Sequence, residues 1–75
     1  MINLKQTKKV YCIGIGGIGV SALAQMFRAQ GKTVVGSDRE ETIITKMLEG
    51  QGIKVLIGQK AEHITNDIDL IIYTP

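Results

Sequence analysis

The chain has 75 residues, a formal net charge of +2, 44 % hydrophobic and 21 % charged residues. That length leaves room for one compact unit over residues 1–75 and none for a second domain within them. The composition is that of a folded domain and excludes a disordered polar tail. Lys5, Lys8 and Lys9 are the only basic cluster. Without interleaved aromatics or a second basic stripe they read as a solvated N-terminal tail, so no nucleic-acid partner is expected.

Those lysines and the apolar stretch Val10 to Ala24, with Ala22 and Ala24 in A-x-A spacing, imitate a secretory signal. Four glycines interrupt the supposed apolar region, where a good helix former belongs, and this argues against the signal reading. No run reaches the 18 or more apolar residues of a membrane span, so no membrane partner is expected. The single cysteine, Cys12, has no internal partner and sits between Tyr11 and Ile13 as a packed strand residue; a reducing cytoplasmic compartment suits it.

In chain order, Val10 to Ile15 is an apolar, β-branched run of the kind buried on both faces of a parallel sheet. Ile18 to Gln30 reads as a helix whose polar residues Ser21, Gln25 and Arg28 form one narrow wet stripe. Gly31 stands where a helix C′ residue with positive φ would stand. Lys32 to Ser37 supplies a second strand. Glu41 to Gly50 reads as a second helix with Ile43, Ile44, Met47 and Leu48 on one face, Glu40 and Glu41 in its first turn, and Gly50 and Gly52 closing it. Ile53 to Ile57 is a third strand, Ala61 to Ile64 at most a helical turn, and Leu70 to Tyr73 a fourth strand running into Pro75. The alternation predicts an α/β fold: a Rossmann-like open parallel sheet of strand order 3-2-1-4, with helices on both faces.

Gly14, Gly16 and Gly19 make G-x-G-x-x-G, with Gly17 as an extra glycine, between the first strand and first helix. In that context the first glycine permits the tight turn, the second lets a diphosphate approach the backbone, and the third lets the helix pack closely on its strand. Free N–H groups at the helix start then bind anionic oxygens. Ser21 adds a hydroxyl donor in the first turn. Asp38, about 20 residues on at the end of the second strand, is placed to accept from a nucleoside's hydroxyls or ring N–H, or else caps the next helix. Arg39 beside it would suit a 2′-phosphate. On these residues alone a dinucleotide-binding module of NAD type, as in a dehydrogenase or regulator, and an interaction domain with an empty loop both remain open.

Other motifs carry less. Gly31-Lys32-Thr33 imitates the end of an ATP phosphate loop, but Met26 replaces the required earlier glycine. His63, the only histidine, has no metal-ligand spacing with Cys12, so no metal site is expected. Asp67 and Asp69 read as turn residues before the fourth strand.

The run Ile13-Gly14-Ile15-Gly16-Gly17-Ile18-Gly19-Val20-Ser21, followed by Gly36-Ser37-Asp38 and Ile57-Gly58, resembles the N-terminal domain of the UDP-N-acetylmuramate–L-alanine ligases of the Mur ligase family, over nearly the whole chain. The resemblance implies a cytoplasmic enzyme of peptidoglycan synthesis that forms an amide at the expense of ATP, through an acyl phosphate of the lactyl carboxylate. It implies a UDP-binding N-terminal domain over residues 1–75, with ATP and Mg2+ bound by a central domain and the amino-acid site completed by a C-terminal one, neither of them here. By position it assigns Gly14, Ile15, Gly16, Gly17, Ile18, Gly19 and Ser21 to the diphosphate, Ser37 and Asp38 to the uridine side, and Tyr73 and Thr74 to the border of the same crevice. No catalytic group falls in these residues. Val20 stands where that family usually has methionine, and Gln59 where it commonly has histidine.

Overall fold

The computed structural model describes residues 5–58 and 64–74. The turn expected at Ala61 to Ile64 lies outside them apart from Ile64, as do Gln59, His63 and Pro75. The elements are β1 (Lys9–Ile13), α1 (Ile18–Ala29), β2 (Thr33–Asp38), α2 (Ile43–Gly50), β3 (Lys54–Ile57) and β4 (Leu70–Ile72). All pairings are parallel and the order is β3-β2-β1-β4, as the alternation predicts.

The register explains the core. Val10 pairs with Val34 and Leu70, Cys12 with Gly36 and Ile72, and Gly36 with Val55. Alternate strand residues share a face, and on this face lie Val20, Ala24 and Phe27 of α1 and Leu48 of α2. Consecutive right-handed crossovers in one direction put both helices on that face, where Arg28 Nε donates to the Gln51 carbonyl at 3.2 Å. A helix on the second face would belong to the β3–β4 connection, whose residues 59–63 lie outside the described ones.

Several expectations need correction. The wet stripe of α1 is one: Ser21 is 5 % exposed while Leu23 and Met26 are 41 % and 43 % exposed. The sheet sets the inward side through Val20, Ala24 and Phe27, at i, i+4 and i+7. Ser21 is tolerated beside them because its hydroxyl donates to the Ile18 carbonyl at 3.0 Å. The second helix begins at Ile43 with Thr42 as its N-cap, so Glu40 and Glu41 precede the helix. Thr42 and Thr45 form a reciprocal capping box, Thr45 N–H donating to Thr42 Oγ1 and Thr42 N–H to Thr45 Oγ1. That box turns the fully buried Thr45 inward with its hydroxyl satisfied, and leaves Ile43 88 % exposed. Thr42→Ala is expected to cost about 1 kcal/mol, since an eight-residue helix loses its start signal. Thermal melting checks it; a melting temperature unchanged from the parent would contradict the capping role.

Both helices end alike. Gly31 and Gly52 have φ of 85° and 89°. Gly31 and Lys32 donate to Arg28 and Phe27 carbonyls, and Gly52 and Ile53 to those of Glu49 and Leu48, a Schellman pattern at each end. The second delivers Ile53 onto Leu48 in the core.

The lysines are also not a loose tail. Lys9 lies in β1, its Nζ pairs with Asp67 Oδ2 at 2.8 Å, and Asp69 Oδ2 accepts the N–H groups of Lys8 and Lys9 at 2.8 and 2.9 Å. The two backbone donors hold the Asp69 carboxyl below its ordinary value, and Lys9 with Thr65 does the same for Asp67. A carboxyl lowered on folding contributes stability above its unfolded value, about 3.9, and that contribution disappears as pH falls through the lower folded value. Stability is therefore expected to decline from about pH 4 downward. Asp69→Ala should lower the melting temperature at pH 7 and flatten that acid limb; an acid limb as steep as the parent's would refute the pairing.

Candidate functional site

The site is built where the first strand gives way to the first helix. Gly14 turns the chain with φ of 72°, a conformation a Cβ makes costly. The N–H groups of Gly14 and Ile15 both donate to the Ser37 carbonyl, at 2.9 and 3.0 Å, so the end of β2 anchors the turn. Gly17 N–H then closes onto the Gly14 carbonyl at 2.9 Å, and Gly17 is the N-cap of α1. Ser21 N–H is the first to bond back, to the Gly17 carbonyl at 2.8 Å. The N–H groups of Ile18, Gly19 and Val20 have no acceptor within the helix, and Gly17 offers no capping side chain. Three donors without a helix acceptor at the positive end of a helix dipole form an anion-binding position.

Asp38 reaches across from β2. Its Oδ2 accepts Gly16 N–H at 2.8 Å and its Oδ1 accepts Arg39 N–H at 2.7 Å. It does not cap α2, which Thr42 does. Gly58 N–H donates to the Asp38 carbonyl at 2.7 Å, which brings the end of β3 to the same rim.

The structure sorts the residues singled out in the sequence. Gly14, Ile15, Gly16, Gly17, Ile18, Gly19, Ser37 and Asp38 are joined through the loop and its bonds. Within them, Gly17, Ile18 and Gly19 are exposed, Gly14, Gly16 and Asp38 half-buried. Ile15 and Ser37 are buried, so they act from beneath: Ile15 packs in the core and Ser37 supplies its carbonyl. Ser21 is buried with its hydroxyl proton committed to Ile18. Tyr73 and Thr74 are exposed just beyond β4, which pairs with β1 through Cys12 and Ile72. They therefore lie at the same sheet edge, across the point where chain order reverses between β1 and β4, the usual crevice of open parallel sheets.

The third glycine does not do what its motif position suggests. A Cβ on Gly19 meets nothing within 4 Å, so it is not needed for helix–strand packing. The close approaches are at Gly16, where a Cβ would stand 2.8 Å from Asp38 Oδ2 and 3.3 Å from Thr45 Cγ2, and at Gly36, where it would stand 2.4 Å from Ile15 Cδ1. Sequence reasoning assigned Gly36 no role of its own; its signal is a glycine inside a strand run, which marks close approach of another group. Ile18 and Ile43, the first residues of the two helices, are 86 % and 88 % exposed, an outward placement that the sequence pattern did not signal.

Cys12 is fully buried and burial pushes its thiol up to about 11, which leaves it an inert packing group. Among the described residues no group of three or more His, Cys, Asp or Glu side chains could hold a metal ion. Thr33 opens β2 rather than a helix, so Gly31-Lys32-Thr33 is not a phosphate loop. No helix among the described residues is long and apolar enough to cross a membrane.

A family model described as "Mur ligase family, catalytic domain" matches residues 9–75. The chain is 52 % identical over 73 residues to a UDP-N-acetylmuramate–L-alanine ligase of Lachnoclostridium phytofermentans, covering 97 % of this chain and 16 % of that relative. It is 45 % identical over 73 residues to the same-named ligase of Agathobacter rectalis, with the same coverage. To that of Brachyspira hyodysenteriae it is 46 % identical over 68 residues, covering 91 % of this chain and 15 % of the relative. The chain thus spans about a sixth of the length of the curated relatives it matches.

Proposed function

The chain belongs to the Mur ligase family, and from that premise we propose that its glycine-loop crevice holds the UDP part of UDP-N-acetylmuramate for a ligase that joins L-alanine to that substrate. The observation that carries the reading is the turn itself: an uncapped helix start with three N–H groups that lack a helix acceptor, braced from β2 and placed at the reversal of strand order. The names of the relatives support the choice of ligand.

In this reading the diphosphate oxygens take the N–H groups of Ile18, Gly19 and Val20, where the helix dipole adds to the hydrogen bonds. Each Asp38 oxygen already accepts one backbone N–H and keeps a further lone pair for a nucleoside donor. Tyr73 and Thr74 border the crevice on the β4 side. Ser21 contributes by holding the first turn, through its bond to Ile18. The described residues offer neither a metal-holding cluster nor an ATP phosphate loop. Residues 1–75 act as one N-terminal UDP-binding domain that binds and orients substrate, and ATP, Mg2+ and the amino acid engage other domains of a longer cytoplasmic enzyme.

Competitive titration with UDP, ADP and NAD, followed by ligand-observed NMR, tests the assignment. UDP is expected to bind most tightly. A millimolar constant, about −4 kcal/mol, suits a site that holds only one end of its substrate. Tight NAD binding with UDP silent would replace the ligase reading by a dinucleotide module.

A further inference from the structure

We propose that Asp38 is a positioning residue for the diphosphate: its carboxylate sets the glycine loop by holding Gly16 N–H, in addition to any contact with a nucleoside. The inference rests on the reading of the loop as a diphosphate site. Its basis is a set of contacts that the nucleotide-binding pattern does not require. Asp38 Oδ2 accepts Gly16 N–H at 2.8 Å, and Oδ1 accepts Arg39 N–H at 2.7 Å, so one carboxylate ties the β1–α1 turn to the β2–α2 connection. The space behind is closed, because a Cβ on Gly16 would meet that oxygen and the methyl group of the fully buried Thr45. Gly16 is thereby pinned between Asp38 and Thr45, one residue before the N-cap Gly17. Its N–H is spent on the carboxylate. The donors left for an anion are those of Ile18, Gly19 and Val20, whose direction depends on where Gly16 is held.

Charge makes the idea testable. A carboxylate beside a polyanion site repels the ligand. If Asp38 served only a nucleoside, removing it would leave binding of inorganic pyrophosphate unchanged or tighter. If it sets the loop, removing it weakens pyrophosphate in spite of the lost repulsion.

The experiment titrates the 15N-labelled 75-residue chain with inorganic pyrophosphate and measures amide hydrogen exchange in its absence. For Asp38→Ala, pyrophosphate affinity is expected to fall at least fivefold. Gly16 amide exchange should quicken at least tenfold while the Tyr11 and Val35 amides, in paired strands, keep their protection. Asp38→Asn retains an oxygen that can accept Gly16 N–H and is expected to keep Gly16 protection and pyrophosphate affinity within twofold of the parent. Should Asp38→Ala fail to fold, Asp38→Glu takes its place: the charge stays, the extra methylene displaces the oxygen, and a fivefold loss supports the positioning role. A parent that binds pyrophosphate while Asp38→Ala or Asp38→Glu binds it as well or better overturns the positioning role alone. A parent that binds no pyrophosphate overturns the diphosphate reading of the loop.

Discussion

Gly36→Ala is expected to lower the melting temperature by about 10 °C or more, the largest stability loss among Gly→Ala substitutions in this chain. The added Cβ would stand 2.4 Å from Ile15 Cδ1, 2.7 Å from Ile15 Cβ and 2.8 Å from the Cys12 carbonyl oxygen. Rotating the Ile15 side chain relieves only the first of these. The other two belong to the buried turn and to the central strand, so β1 and β2 must part or the turn must lift. Overpacking of this kind costs about 1–3 kcal/mol. A core of this size supplies only about 3–5 kcal/mol, and each kilocalorie shifts the melting point of so small a domain by roughly 4–8 °C. Gly19→Ala is the matched control. Its Cβ meets nothing within 4 Å and it sits in the first turn of α1, so it should melt at the parent temperature or slightly above, with up to about 1 kcal/mol gained from the less flexible unfolded chain. Thermal melts of the pair decide the point; equal melting temperatures for both variants would contradict the packing described here.

The largest binding loss is expected for Gly16→Val. The first carbon alone would press on Asp38 Oδ2 at 2.8 Å and on Thr45 Cγ2 at 3.3 Å. Asp38 is half-buried and its carboxylate can swing toward water, so the fold yields here more cheaply than at Gly36. The yielding movement is what destroys the site: the bond from Gly16 N–H opens and the loop that directs the N–H groups of Ile18, Gly19 and Val20 loses its brace. UDP affinity is expected to drop more than tenfold, with a smaller fall in melting temperature than for Gly36→Ala. Parental UDP affinity in Gly16→Val would show that the loop does not hold the diphosphate.

Much of this architecture is written in local pattern. The apolar run of β1, the glycine turn, the C′ glycine Gly31 and the alternation of strands with helices lead to the strand order found. What pattern could not supply was direction. α1 carries apolar residues nearly all round, and only the sheet decides that Val20, Ala24 and Phe27 face inward while Leu23 and Met26 stay out. In α2 the periodicity of Ile43, Ile44, Met47 and Leu48 is real, yet the Thr42–Thr45 capping box rotates the inward side toward Ile44, Thr45 and Leu48. The loop glycines were found by spacing, but their division of labour depends on contacts across the chain. Gly36 must be bare for Ile15, and Gly16 for Asp38, 22 residues away. The pairing of Asp67 and Asp69 with β1 joins residues about 60 positions apart, beyond the reach of any local signal.

That the loop at the end of β1 holds the diphosphate of a uridine nucleotide is tested most directly by residue-resolved NMR of the labelled chain titrated with UDP. The amides of Gly14 to Ser21 are expected to shift most, led by Ile18, Gly19 and Val20, together with Asp38. Those of Gln30, Gly31 and Lys32 at the opposite edge of the sheet should stay in place. Saturable shifts confined to that opposite edge, with the loop amides unmoved, would contradict the assignment.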